Sequence, residues 1–203
     1  MHGDGERSSG PGRPRDAAID VAILTAAQRH LANTGYEAMS LSAVAADANT
    51  TRQALYRRFP TKAQLATAAI AALSAAIDRP ASDDPFTDLV GELEDFARAM
   101  AGPTGLAMAG TMLQGTAERE LVELYRDRLV RPRAERLRAV LERALRHGHV
   151  DHDADVELAV TLLTGSWYAL GLAGTPPPPD WAARVASLAW QALGGPRRGT
   201  LQH

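Results

Sequence analysis

Apolar residues recur at spacings of three and four along almost the whole chain, and nowhere do they alternate with polar ones. That period belongs to helices buried along one stripe, and the missing alternation argues against half-buried strands. In residues 17–33 the stripe is Ile19, Ala22, Ile23, Ala26, Ala27 and Leu31, with Asp16 placed to cap the start and Gly35 to stop the run. A short helix follows over 41–48 behind Ser40, and a third, "RQALYRRF", behind Thr51. Pro60 breaks that helix, and Thr61 caps a fourth beginning at Lys62. Further helices are expected at about 85–101, 104–117, 119–147, 155–173 and 180–193, with Pro132 kinking or splitting the long seventh one near Val130. Alanine is abundant and β-branched runs are missing, so local propensity agrees with the period. The expected fold is all-α, with about nine helices.

The chain has 203 residues, 45% of them hydrophobic, which is enough for one large domain or two small ones. It has no cysteine, hence no disulfide framework, thiolate metal site or cysteine nucleophile. No Gly-x-Ser-x-Gly, phosphate-loop or HExxH motif occurs, so nothing points to an enzyme, and no cofactor is expected. The opening "MHGDGERSSGPGRPRD" has no apolar run of the kind a secretory signal needs. Residues 158–174 carry no charge but fall short of the roughly 20 apolar residues of a membrane span. They read as a helix buried on nearly every side, in a cytoplasmic protein without membrane contact. Net charge is −2, unevenly spread: residues 1–65 hold eight basic groups against six acids, while the remainder is acidic. A mildly basic front on an acidic body suits a small anion-contacting module attached to something else.

The chemistry gathers in "TTRQALYRRFPTKAQL", residues 51–66, which contains the chain's only lysine, Lys62. Two short helices on either side of Ala48-Asn49-Thr50 form a helix-turn-helix pattern. Its turn needs a residue able to take positive φ, which asparagine does best after glycine. Val44 and Ala45 would pack against Leu55, leaving Thr51, Arg52, Gln53, Tyr56 and Arg57 exposed on the third helix. Arginine forks onto guanine, glutamine onto adenine, and hydroxyls bind phosphate oxygens. Lys62, in the first turn of the fourth helix, reads either as a phosphate clamp or as a solvated surface lysine.

Taken whole, "GYEAMSLSAVAADANTTRQALYRRFPTKAQL" resembles the DNA-binding domain of the TetR/AcrR family of transcriptional regulators. The likeness is carried by Gly35-Tyr36, Ser40-Leu41, Val44-Ala45, Ala48 to Thr51, Leu55-Tyr56, Phe59, Thr61-Lys62 and Leu65, without insertion. Asn49 and Thr50 depart from the family's usual glycine and valine. The resemblance covers about residues 17–77. It implies phosphate contacts from Ser40, Tyr56 and Lys62, and base or groove contacts from Ser42, Arg52, Gln53 and Arg57. Arg13 and Arg15 resemble the basic arm that can enter a minor groove; a disordered, solubilising tail is the other reading. The implied division is a basic arm over 1–15, a three-helix helix-turn-helix domain over 16–78, a ligand-binding and dimerisation domain over 79–195 and a tail over 196–203.

The body over residues 133–193 is similar to the ligand-binding domain of one subgroup of that family. Trp181, Val185, Leu188, Ala189 and Ala192 share a stripe, and with Leu162 they are candidates for a two-fold interface; a monomeric bundle core is the alternative. Met100, Met108 and Met112 lie close in sequence. With Leu106, Leu113, Trp167 and Tyr168 they either line an effector pocket or form ordinary core. His147, His149, Asp151, His152 and Asp153 invite a metal reading, but helix ends explain them better: Gly148 stops one helix and Asp153 or Asp155 caps the next. No metal site is expected. The helix starting at Lys62 is expected to be the only continuous link between front and body. The reading that follows is a homodimeric regulator, most simply a repressor, that binds a palindromic operator in double-stranded DNA and is released by a small, largely apolar effector. A DNA-binding protein without effector and an all-α binding protein or enzyme are the rivals.

Overall fold

The computed structural model describes residues 13–73, 80–113 and 117–197, and its regular structure there is entirely helical. In chain order the elements are α1 (Arg13–Ala38), α2 (Leu41–Asp47), α3 (Arg52–Arg58), α4 (Lys62–Leu73), α5 (Pro85–Ala101), α6 (Pro103–Leu113) and α7 (Arg119–Tyr125). A π-turn (Arg126–Val130), α8 (Arg131–Arg146), α9 (Val156–Leu172) and α10 (Trp181–Ala192) follow. The side chains of residues 13–16, Leu106 and Leu113 lie outside the described set. α1 starts ahead of the expected Asp16 cap, at Arg13 within the stretch read as a disordered arm, and it runs past Gly35 to Ala38. Gly35 still interrupts it, with φ 75° and ψ 176°.

The caps follow from local chemistry. Ser40 accepts from the Ala43 amide and Thr51 from the Ala54 amide, each satisfying a donor that the first helical turn leaves free. α2 ends in the turn that its sequence requires. Asn49 has φ 50°, its amide donates to the Ala46 carbonyl, and the Thr50 amide donates to the Ala45 carbonyl. This pair of bonds closes a helix through one left-handed residue. Asn49→Val is therefore expected to cost about 1–2 kcal/mol in urea denaturation, with Asn49→Gly near neutral. A Val variant as stable as wild type would show that the turn tolerates another geometry.

Pro132 divides the long seventh helix as expected, and the division takes the form of a π-turn. Proline offers no N–H to the carbonyl of Arg128, and the helix widens so that the Arg131 amide reaches the Arg126 carbonyl.

Two apolar cores result. The front core gathers Ile23, Leu31, Tyr36, Val44, Leu55, Leu65 and Ile70 from α1 to α4, and is completed by Met108, Leu121, Tyr125 and Leu129 from α6, α7 and the π-turn. The body core is built on Phe86, Leu93, Phe96, Leu141, Leu163, Trp167, Trp181 and Trp190. The front module is thus not joined to the body through α4 alone, which corrects the expectation. α1 packs on α6, and α4 packs on α7 and the π-turn. Polar bonds reinforce this seam. The Tyr36 hydroxyl donates to Glu118 at 2.9 Å, the Thr61 hydroxyl to Glu120 at 2.8 Å, and Arg128 to the Thr67 hydroxyl at 3.3 Å. Burial first, and then the Glu118 carboxylate, push the Tyr36 phenol far above its ordinary value, so it stays a donor at any physiological pH.

Candidate nucleic-acid interface

Leu55 is fully buried against Val44 and Ala45, and it fixes α3 across α2. That anchoring turns the opposite face of α3 outward. Arg52, Gln53, Tyr56 and Arg57 are all exposed, and their spacing places them on one side of the helix. Among the described residues neither Arg52 nor Arg57 has a carboxylate within ion-pair distance. Arg58, one position on, turns inward and pairs with Asp20 at 2.5 Å. Two guanidinium groups thus share that outward surface with an amide and a phenol.

Thr51 and Ser40 sit at the N-termini of α3 and α2, where they cap, and Ser42 is half-buried in the first turn of α2. Helix N-termini present free N–H groups and a positive dipole end, the arrangement that receives phosphate. Lys62 begins α4. Its ammonium donates to the Glu37 carbonyl at 2.7 Å and lies 4.5 Å from the centre of the Tyr36 ring. One of its three protons thus ties α4 to the end of α1, and two remain for another acceptor. This structural bond was not legible in the sequence, nor were Glu118 and Glu120, whose contacts join residues some 60 to 80 positions apart. The side chains of Arg13 and Arg15 fall outside the described residues.

The candidate effector-pocket residues are not brought together. Met100 and Trp167 are buried in the body core with Tyr168 packed against it, whereas Met108 is buried in the front core and Met112 packs there. The candidate interface residues also separate. Trp181 is 3% exposed and belongs to the body core, and Val185 and Ala189 pack partly against it. Leu162 and Leu188 instead point outward at 60% and 69% exposure, as Leu158 and Leu172 do, with Ala192 also exposed. The helix α9 is therefore buried on one face and apolar but open on the other, rather than enclosed on every side. At the end of α8 the histidines sit in a helix stop. Gly148 has φ 69°, the His149 amide donates to the Ala144 carbonyl, and Asp155 caps α9 through the Leu158 amide. Among the described residues no group of three His, Cys, Asp or Glu side chains is placed to hold a metal ion, and no helix is long and apolar enough to cross a membrane.

Comparison with known proteins agrees with this geometry. Residues 23–69 match the family of bacterial regulatory proteins of the tetR type, and residues 79–189 match the Tetracyclin repressor-like C-terminal domain. The uncharacterized HTH-type transcriptional regulator YdeS of Bacillus subtilis strain 168 is 29% identical over 167 residues, which cover 80% of this chain and 83% of that protein. The crystal structure of a TetR transcriptional regulator from Agrobacterium tumefaciens superposes with a TM-score of 0.66 at 27% identity, covering 86% of this chain and 92% of that one. The flavonoid-responsive regulator FrrA shares the fold, with a TM-score of 0.61 at 20% identity over 90% of this chain and 100% of that one. With both of its parts matched and a helix presenting Arg52 and Arg57 outward behind a well-capped turn, the chain belongs to the TetR family and is a DNA-binding transcriptional regulator.

Proposed function

We propose that this regulator is a homodimeric repressor that occupies a palindromic operator and leaves it when a small molecule binds the body. The observation that carries the DNA-reading assignment is the pair Arg52 and Arg57, exposed on α3 with no acidic partner among the described residues. Groups of this kind fork onto guanine in a major groove, with Gln53 beside them suited to adenine and Tyr56 to a phosphate. Dimerisation rests on the open apolar face of α9 and α10. Two copies of a helix-turn-helix related by a two-fold axis then meet half-sites about one helical turn apart. The protein acts where its DNA lies, in the cytoplasm.

Selection of binding duplexes from random DNA is the direct test. It should return an inverted repeat bound at nanomolar concentration, and recovery of no preferred sequence would overturn the proposal. The two donors left on Lys62 lead to a further expectation. Lys62→Ala should weaken cognate and scrambled DNA alike and lower the slope of log affinity against log salt by about one per subunit. Anisotropy titrations at several salt concentrations measure that slope. A lower melting temperature with an unchanged slope would reduce Lys62 to a bolt between α1 and α4.

A further inference from the structure

Arg133, in the first turn of α8, faces aromatic rings and hydroxyls. Its guanidinium lies 4.5 Å from the centre of the Phe96 ring, in a wall that also holds Trp167, Tyr168 and Trp181. Among the described residues no carboxylate stands within ion-pair distance of it. Desolvation lowers its pKa, an effect offset in part by the neighbouring hydroxyls of Tyr168 and Tyr125. The same burial, with Tyr168 beside it, pushes the Tyr125 phenol up to about 12. Three other arginines of α8 face carboxylates, and the one on the preceding π-turn faces a carbonyl and a hydroxyl. Arg136 pairs with Glu92 at 2.8 Å, Arg138 with Glu157, Arg143 with Asp88, and Arg128 donates to Gln64 and Thr67. Withdrawing a charge from water without a counterion is costly, and such groups are found where a ligand supplies the missing charge.

The side chain lines a cleft of about 340 Å³ between α8 and α9, whose other walls include Val130, Leu137, Val160, Thr164 and Tyr168. That is the volume of a small organic molecule. On its other side Arg133 borders a smaller cleft shared with Arg128, Arg136 and Asp95, in which basic groups outnumber the one acid. We propose that the α8–α9 cleft binds a small organic carboxylate, with the carboxylate forked on Arg133 and the apolar body against Val130, Leu137 and Val160. This rests on the effector-responsive reading and changes the effector from purely apolar to amphipathic and anionic. A guanidinium presents parallel N–H groups that match a carboxylate, and it remains charged in a site where an ammonium would shed its proton.

The site is also well placed to be heard. Arg133 lies three residues beyond the π-turn, and that turn carries Arg128, whose guanidinium holds Gln64 and Thr67 of α4. A ligand that draws on Arg133 acts on a segment already departing from α-geometry, two bonds away from the helix that begins with Lys62.

The test uses benzoate, 4-phenylbutyrate and octanoate, each against its neutral amide, in calorimetric titration and thermal melts of the full chain. At least one acid is expected to bind about tenfold or more tightly than its amide and to raise the melting temperature accordingly. Arg133→Met should abolish that preference while melting no lower than wild type, because it replaces a half-buried guanidinium with no carboxylate partner among the described residues by an apolar chain. Ala134→Phe, which narrows the cleft and leaves Arg133 in place, should lose acid binding as well. Equal binding of acids and amides, retention of acid binding in either variant, a marked loss of stability in Arg133→Met, or failure of all three acids to bind would each overturn the assignment. Repeating the titrations on the DNA-bound protein separates this inference from the reading beneath it. Acids that bind through Arg133 but leave DNA affinity unchanged keep the site and remove the release mechanism, whereas amides that release DNA as well as acids keep the mechanism and remove the site.

Discussion

Replacing Leu162 and Leu188 together by glutamate is expected to turn the protein into a monomer and to cut operator affinity by about two to four orders of magnitude, with the helical fold intact. Both side chains are mostly exposed in the single chain, at 60% and 69%, and they stand on the outward faces of α9 and α10. A soluble chain seldom leaves several leucines open on adjoining helices unless another surface covers them. In a two-fold dimer each substituted position occurs twice, so four carboxylates would be driven into an apolar contact without counterions. Two linked reading heads gain roughly 10²–10⁴ over one through effective concentration alone, and that gain disappears with the dimer. Light scattering gives the mass and anisotropy the affinity. A double variant that remains dimeric would place the interface elsewhere. The same change at Val185 and Ala189 would be a poorer test, because both pack partly against their own core and the chain would lose stability as well as its partner.

The contrast between those pairs shows where the sequence stops being legible. On α10 both faces are apolar. Trp181, Ala182, Ala186 and Trp190 face inward, while Leu188 and Ala192 face out. A stripe counted at spacings of three and four has no way to tell which side meets its own chain, and it ran Trp181 together with Leu188. Local rules fared better wherever the cause was local. Asn49 takes positive φ because two backbone bonds close the end of α2 there, and Pro132 splits its helix because it lacks a donor. The reading face of α3 was legible for the same reason. Burial of Leu55 dictates the exposure of Arg52, Gln53, Tyr56 and Arg57 through helix geometry alone. What could not be read depends on partners far along the chain. Methionines 108 and 112 follow Met100 closely in sequence but cross into the front core, and an adaptable side chain gives no hint of which core it fills. Arg133 likewise carries no mark in the sequence, since its unusual state, aromatic rings and hydroxyls around it and no carboxylate among the described residues, comes from the packing of α5, α8 and α9.

Arg52→Ala should cost more operator affinity than any other single truncation on α3. The fork of one guanidinium onto a guanine edge is worth about 1–3 kcal/mol, and a dimer on a palindrome loses it in both half-sites, so about 2–6 kcal/mol is at stake on the cognate duplex. On scrambled DNA, where a misplaced arginine finds only phosphate, the loss should be far smaller, and the preference between the two sequences should collapse at one position of each half-site. Arg58→Ala supplies the control from the same helix. Its guanidinium is committed to Asp20 and to the Ala54 carbonyl, so its removal should lower the melting temperature and leave the ranking of duplexes unaltered. The two variants differ by one charge each, so any general electrostatic loss is shared, and only a base contact can separate them. Affinities for a set of duplexes carrying single base-pair changes across one half-site decide the matter. If Arg52→Ala keeps the wild-type ranking across that set, Arg52 touches backbone rather than bases, and sequence reading passes to Gln53 beside it and Arg57 one turn further on.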